Sequence, residues 1–271
     1  VPFSLFAPSV GPFTKGKPGI KKLLGKAQTI CFSEPISQGY FQGVCPVKKT
    51  TVTLDSAFQH PVDVQDNQQK FNAYRELNEF LSQHDKVIGI TVTDLKWHRN
   101  YRDGERATVI RETFKAFVSY LEERGFGVLF IPQLFGKDND KTYMSDFAGK
   151  NSFVMSDEYD CYFQQYVISK LYVVVGMRYH SNIFSAKAGT PFLSVSYEQK
   201  MEGFMKKAGL QAYCIPVQQL SFEALKNHFE KLLADYDRYK ADLQTKRIEF
   251  QKQAFQTTEI VAESIRKCLN K

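Results

Sequence analysis

Residues Tyr172–Gly176 read YVVVG, a run with apolar side chains on both faces. A strand of that kind must be covered from both sides, and a parallel sheet flanked by helices is the usual setting. The rest of the chain repeats the theme. Short apolar runs at Phe3–Ser9, Thr29–Phe32, Thr50–Leu54, Val87–Val92, Gly127–Ile131, Phe192–Ser196 and Ala212–Pro216 read as strands. They alternate with helical spacing at Pro18–Lys26, Ile36–Gln42, Phe71–Leu81, Thr108–Arg124, Cys161–Ser169, Ser181–Ala188 and Met201–Ala208. Such alternation specifies an α/β fold with doubly wound parallel sheets. The polar stretch 59–68 (QHPVDVQDNQ) reads as a linker. The expected organisation is a first α/β domain over 1–60, a linker and connecting helix over 61–84, a second α/β domain over 85–220 and a helical segment over 221–271.

The end of the chain has a different character. From Val217 to Lys271 there is neither glycine nor proline. Phe222, Leu225, Phe229, Leu232, Tyr236, Tyr239 and Leu243 alternate steps of three and four, which makes a one-faced helical seam. The expectation is one or two long helices laid back across the protein. A dimeric coiled coil is the alternative, although three heptads barely reach the length it requires.

Composition narrows the function classes. With 43% hydrophobic and 24% charged residues in 271, the chain is neither disordered nor fibrous. Its longest unbroken apolar run, Leu171–Val175, is far short of the roughly 20 residues that span a bilayer. No basic-then-apolar leader opens it, so a cytoplasmic location is expected. It starts at valine, which suggests a processed chain or part of a longer one. Its five cysteines are odd in number and none shows CxxC spacing, so buried thiols are expected rather than disulfides or structural zinc. The net charge is +7, and residues 1–60 hold seven lysines, no arginine and only Glu34 and Asp55 as acids. That surface favours anionic partners or is simply a solvated face; without a recognisable nucleic-acid module, nucleic acid is not expected. The stretch 136–142 (GKDNDKT), with Asp138, Asn139 and Asp140, reads as a solvated loop lacking the further ligands of a calcium site.

The window Tyr172–Leu210 concentrates the chemistry. A buried strand runs into Gly176, followed by Arg178, His180 and Ser181-Asn182 at a helix start. In an open α/β sheet, ligands bind outside the carboxyl ends of strands, where a helix N-terminus offers amides and a positive dipole end to an anion. Arg178 adds a donor fork suited to phosphate or carboxylate. His180 can titrate near neutral pH. The next strand, Phe192–Ser196, is followed by Tyr197 and Lys200. If the two strands are neighbours, Lys200 reaches the same mouth as Arg178 and His180, and the three converge on one small anion.

This window resembles the signature of the polysaccharide pyruvyl transferase family through Gly176, Arg178, His180, Gly189, Pro191, Tyr197 and Lys200. Three weaker pieces match in family order: Ser9–Phe13 (SVGPF), Glu34–Val44 (EPISQGYFQGV) and Asp55–Phe58 (DSAF). The resemblance implies two Rossmann-like domains in a glycosyltransferase-B-like arrangement. It implies transfer of the enolpyruvyl unit of phosphoenolpyruvate to a sugar, closed into a ketal on two hydroxyls, with no cofactor and no metal. It assigns His180 and Lys200 to catalysis, and Arg178, with Tyr179, Ser181, Asn182 and Gly176 around it, to substrate binding. Phosphoenolpyruvate and a sugar or lipid-linked glycan are the implied partners, with peripheral membrane association and a homo-oligomer left open. Two departures stand out. Ser33 occupies the place of a family arginine, and the strands and Gly-rich turn that open the family's first domain are missing, so that domain is expected to be incomplete. A nucleotide-sugar glycosyltransferase and a non-catalytic member of the fold are the competing readings.

Overall fold

The structure, a computed structural model, describes residues 3–102, 104–136 and 139–270. Two compact units emerge. One gathers Val1–Pro61, Glu198–Gln211 and Lys246–Lys271; the other gathers Val62–Tyr197 and Ala212–Thr245. The chain begins with β1 (Leu5–Phe6), α1 (Lys17–Leu24), β2 (Ile30–Phe32), α2 (Pro35–Gln42) and β3 (Thr51–Val52). It continues through α3 (Val64–Ala73), α4 (Arg75–Ser82), β4 (Val87–Thr91), α5 (Glu105–Glu123), β5 (Gly127–Phe130), α6 (Asp140–Ser145) and β6 (Ser152–Val154). Then come α7 (Cys161–Ile168), β7 (Val173–Gly176), α8 (Tyr179–Ala188), β8 (Phe192–Ser196), α9 (Gln199–Lys207) and β9 (Cys214–Pro216). Two helices close the chain, α10 (Phe222–Ala234) and α11 (Tyr236–Leu269). The α/β class, the parallel sheets and the long C-terminal helix are as expected.

The first unit holds a three-stranded parallel sheet in the order β1-β2-β3. Its strands are shorter than their apolar runs; β1 stops at Phe6 because Ala7 turns into the left-handed region at φ 50°. Phe32 and Phe41 pack together over the sheet in a core with Ala27, Ile30 and Cys45. Lys15, Lys17, Lys21, Lys22 and Lys26 are all exposed, a solvated face. Cys31 and Cys45 are buried as expected, whereas Cys161 is exposed.

The second unit holds six parallel strands in the order β6-β5-β4-β7-β8-β9. The chain winds outward from β4 to β6, returns to β7 on the other side of β4, and winds outward again to β9. This is the doubly wound order, with its topological switch point between β4 and β7. The four central strands β5, β4, β7 and β8 are buried along their whole length, as the two-faced apolar run at 172–176 requires, while the edge strands β6 and β9 are partly exposed.

The expected linker and single connecting helix give way to two helices of the second unit. Asp63 caps α3 by accepting from Asp66 N, so the polar stretch becomes a helix start. The helical spacing of Phe71–Leu81 breaks at Tyr74, whose hydroxyl accepts a hydrogen bond from Ser156 N at 2.9 Å. That contact is tertiary and leaves no mark in the local sequence.

The seam of the C-terminal segment is covered inside the chain. Leu225, Phe229, Leu232 and Leu243 are fully buried, and Phe229 meets Phe117 and Phe126 edge-on. Tyr236 stacks on Tyr172, while Tyr239 stacks on Tyr213 and donates to Phe192 O at 3.0 Å. No exposed stripe therefore remains from Leu225 to Leu243 for a coiled coil. The expected separate helical segment is instead divided: residues beyond Thr245 belong to the first unit, where Phe250 packs on Phe58 and Phe204. Among the described residues, no helix is long and apolar enough to cross a membrane.

One charge is carried into the packing between α7 and α8. Lys187 Nζ donates to Gln165 Oε1 at 2.8 Å, and burial pulls its pKa from 10.5 down to about 8. The folded chain therefore binds fewer protons than the unfolded one between about pH 8 and 10.5, so this group makes stability rise with pH across that window. Denaturant titrations at several pH values should show that rise in the native protein and a flatter profile in Lys187→Met. In the core, Phe229→Ala should lower unfolding free energy by about 3–5 kcal/mol in the same assay.

Candidate functional site

The carboxyl ends of β4 and β7 lie side by side at the switch point, with Thr91 paired to Gly176. Thr91 organises the turn that leaves β7. Its Oγ1 accepts from Met177 N at 3.0 Å and Arg178 N at 3.1 Å, and donates to Ser181 Oγ at 2.8 Å. Ser181 Oγ in turn donates a hydrogen bond to Arg178 O at 2.7 Å. Gly176 is required here, because a Cβ would collide with Asn182 Oδ1 and Ser181 Oγ.

Ser181 and Asn182 are thus turned into the fold and buried, not presented to a ligand. Asn182 Nδ2 donates to Ser194 Oγ at 3.1 Å, tying α8 to β8. Tyr179 is buried as well. His180 is exposed on the first turn of α8, with the rings of Tyr179 and Phe184 at 5.2 and 5.7 Å. Arg178 is the N-cap residue of α8, and its side chain does not cap the helix.

Arg178 has a partner that its local sequence does not announce. Its guanidinium forms a fork with Asp140, Nη2 to Oδ1 at 2.5 Å and Nε to Oδ2 at 3.1 Å, and reaches Thr93 Oγ1 at 3.2 Å. The two side chains are only 11% and 3% exposed. Burial works against the Arg178 charge, but the Asp140 carboxylate overrides it and holds the pKa above its ordinary value. Asp140 Oδ2 also accepts from Gln133 N at 3.0 Å and Leu134 N at 2.9 Å. Asp140, expected within a solvated loop, is therefore a buried anchor, while Gly136 and Thr142 are exposed. Asn139 caps α6 within the expected loop; Asp138 lies outside the described residues. A pairing across 38 positions has no local sequence signal.

Beside this pair opens a cleft of about 610 Å³, lined by Thr93, Asp94, Trp97, Asp140, Tyr143 and Asp146 among others. Trp97 is 42% exposed and has the Arg178 guanidinium 5.5 Å from its ring. Tyr197 meets Trp97 edge-on and His98 lies against both. Apart from Asp140 and Tyr197, the sequence reading passed over these residues. The signal was present: the chain's single tryptophan sits in a polar stretch directly after a buried strand.

Lys200 belongs to α9 and to the first unit, with Nζ 3.3 Å from Glu198. The condition that β7 and β8 be neighbours is met. Within the first unit the weaker motif pieces come together. Glu34 is fully buried and caps α2, accepting from Ile36 N at 2.6 Å and Ser37 N at 3.0 Å. Ser37 Oγ accepts from Val10 N at 2.8 Å, and Gln199 Nε2 donates to Gly11 O at 2.8 Å. Ser33 is buried with its hydroxyl 3.1 Å from that of Ser9.

Comparison with known proteins follows the same lines. The profile of the family described as polysaccharide pyruvyl transferase matches residues 1–199. A curated relative, the amylovoran biosynthesis protein AmsJ of Erwinia amylovora, is 28% identical over 144 residues, covering 50% of this chain and 34% of that protein. This chain thus aligns with about a third of the relative's length. Among solved structures, a UDP-GlcNAc 2-epimerase from Neisseria meningitidis is similar with a TM-score of 0.61 at 13% identity, covering 98% of this chain and 69% of that one. A trehalose-phosphate synthase from Burkholderia vietnamiensis reaches 0.64 at 11% identity, with 98% and 69% covered. The glycosyltransferase WaaG of lipopolysaccharide biosynthesis reaches 0.52 at 11% identity, with 86% and 62% covered. These likenesses establish a glycosyltransferase-B-like fold.

Removing Arg178 should first be felt as lost stability. Arg178→Ala strands a buried carboxylate and should cost about 3–5 kcal/mol. Thermal melts should show Arg178→Ala with Asp140→Asn regaining part of that loss. A single Arg178→Ala that melts like the native protein would contradict a structural pair.

Proposed function

The chain belongs to the polysaccharide pyruvyl transferase family, and on that premise we propose that it moves the pyruvate unit of phosphoenolpyruvate onto a glycan as a ketal, in the synthesis of a surface polysaccharide or glycoconjugate. The observation that carries the reading is the turn Gly176–His180 at the switch point. It presents a helix start and an exposed histidine where α/β sheets take their ligands. AmsJ, the similar protein, is named for polysaccharide biosynthesis, which supports the same substrate class.

Phosphoenolpyruvate brings a phosphate and a carboxylate. The first-turn amides of α8 suit either group. Lys200 is assigned to catalysis by its place in the motif. Arg178 acts as a positioning residue, because its fork is occupied by Asp140. One sugar hydroxyl adds to C2 while the C3 methylene gains a proton; phosphate leaves, and a second hydroxyl closes the ketal. Of the two hydroxyl protons, one balances the new methyl group and the other the departing phosphate. His180 serves as the acid–base group for these transfers. The reading places the reaction in the cytoplasm, with a sugar or lipid-linked acceptor.

The test is incubation of the chain with phosphoenolpyruvate and a panel of sugar and lipid-linked glycan acceptors. Inorganic phosphate should be released in step with a new ketal methyl signal by NMR. His180→Gln should slow this by about 10²–10⁴-fold with little change in phosphoenolpyruvate binding. Consumption of a UDP-sugar with a new glycosidic bond, and no ketal, would overturn the reading in favour of a glycosyltransferase. Absence of both reactions would favour a non-catalytic member.

A further inference from the structure

The cleft beside Trp97 is unlike an anion site. Each of its carboxylates has a cationic partner: Asp140 is paired with Arg178, Asp146 with Arg111 at 2.8 Å, and Asp94 with Lys96 at 3.9 Å. Lys96 is the one cation among the described lining residues. A multiply charged anion gains little from such a wall. What the wall offers is hydrogen bonding: carboxylate acceptors, the hydroxyls of Thr93 and Thr142, and the amide of Asn139. It also offers a flat apolar surface, since Trp97 is substantially exposed with its indole Nε1–H already turned toward Thr93 Oγ1 at 3.3 Å.

One group asks for a partner. Tyr143 lines the cleft, and its hydroxyl is buried with no hydrogen-bond partner among the described residues. A buried polar atom left unsatisfied is costly, and such atoms in folded proteins are the exception. Burial keeps this phenol protonated, and Asp94 and Asp146 push in the same direction against Arg111. It is therefore a donor. The volume of about 610 Å³ falls within the range of small-molecule sites.

We propose that this cleft binds a neutral hexopyranose ring of the acceptor glycan, laid against Trp97 and hydrogen-bonded by Asp94, Tyr143 and Asp146. A pyranose has an apolar C–H face and a rim of hydroxyls that donate and accept, which matches an indole surface ringed by carboxylates and one phenol. The assignment to the acceptor rests on the glycan-transferase reading above; the binding chemistry does not.

Trp97 is the chain's only tryptophan, so its fluorescence reports on this cleft alone. Titration with methyl glucoside, methyl galactoside, methyl mannoside and the methyl glycoside of N-acetylglucosamine should give a saturable change with at least one of them. That change should be insensitive to added salt. Asp94→Asn and Tyr143→Phe should each weaken the binding by roughly tenfold, and both keep Trp97 and the local shape. Saturation-transfer NMR should show magnetisation passing to the glycoside from the native protein and none from Trp97→Ala. No response to any of the glycosides would overturn the proposal. So would a response to phosphoenolpyruvate, inorganic phosphate or uridine that displaces the glycoside, since the cleft would then be a donor pocket. The two readings separate cleanly. Glycoside binding at Trp97 without pyruvate transfer overturns the reaction and leaves the cleft; pyruvate transfer with a silent Trp97 overturns the cleft and leaves the reaction.

Discussion

The buried pair of Arg178 and Asp140 is the interaction on which the mouth of the second sheet depends. It joins the turn after β7 to the start of α6, two segments that the sheet alone would bring near each other without fixing. Burying two opposite charges is favourable only when geometry and further hydrogen bonds offset desolvation. Both conditions hold. The fork is bidentate, Thr93 takes a guanidinium proton, and two backbone amides reach the carboxylate. The exposed ring of Trp97 lies 5.5 Å from the guanidinium of this pair. Arg178 is thus held by Asp140 at the mouth of the sheet, a pairing that the motif alone does not show.

The fold was legible where one segment carries its whole reason. β7 is apolar on both faces and buried along its length, so it reads as a buried parallel strand from composition alone. Gly189 adopts φ +74° at the end of α8, and the break after Ala188 was readable from the glycine. Legibility failed where the reason is remote. β6 has three half-buried residues, too few to show a period. α6 starts inside a polar run because Asn139 caps it and Asp140 finds Arg178. The α3–α4 break answers to Ser156, far along the chain.

The candidate site divides in the same way. Gly176, Arg178 and His180 were recognisable because a strand end, a helix start and titratable groups lie within five residues. Asp94 and Trp97 come from the loop after β4 and Tyr143 from α6, and these segments meet only through the sheet order. Glu34 shows a further case: the acid in the motif is fully buried as a helix cap and packs where a Cβ on Gly203 would collide with it. Its carboxylate accepts hydrogen bonds from the first backbone amides of α2.

The first unit is assembled from three separate passages of the chain, and this bears on the order in which the protein can fold. Thr53 bonds Thr257 across 204 positions, and Phe58 rests on Phe250. Contacts of such separation form late, because loop closure must precede them. On the ribosome, every residue of the second unit has been joined once Thr245 is added, whereas the three strands of the first unit still lack the helix that covers Phe58. The unit whose strands are translated first is therefore the one completed last. Until then its apolar face is a natural client for chaperones.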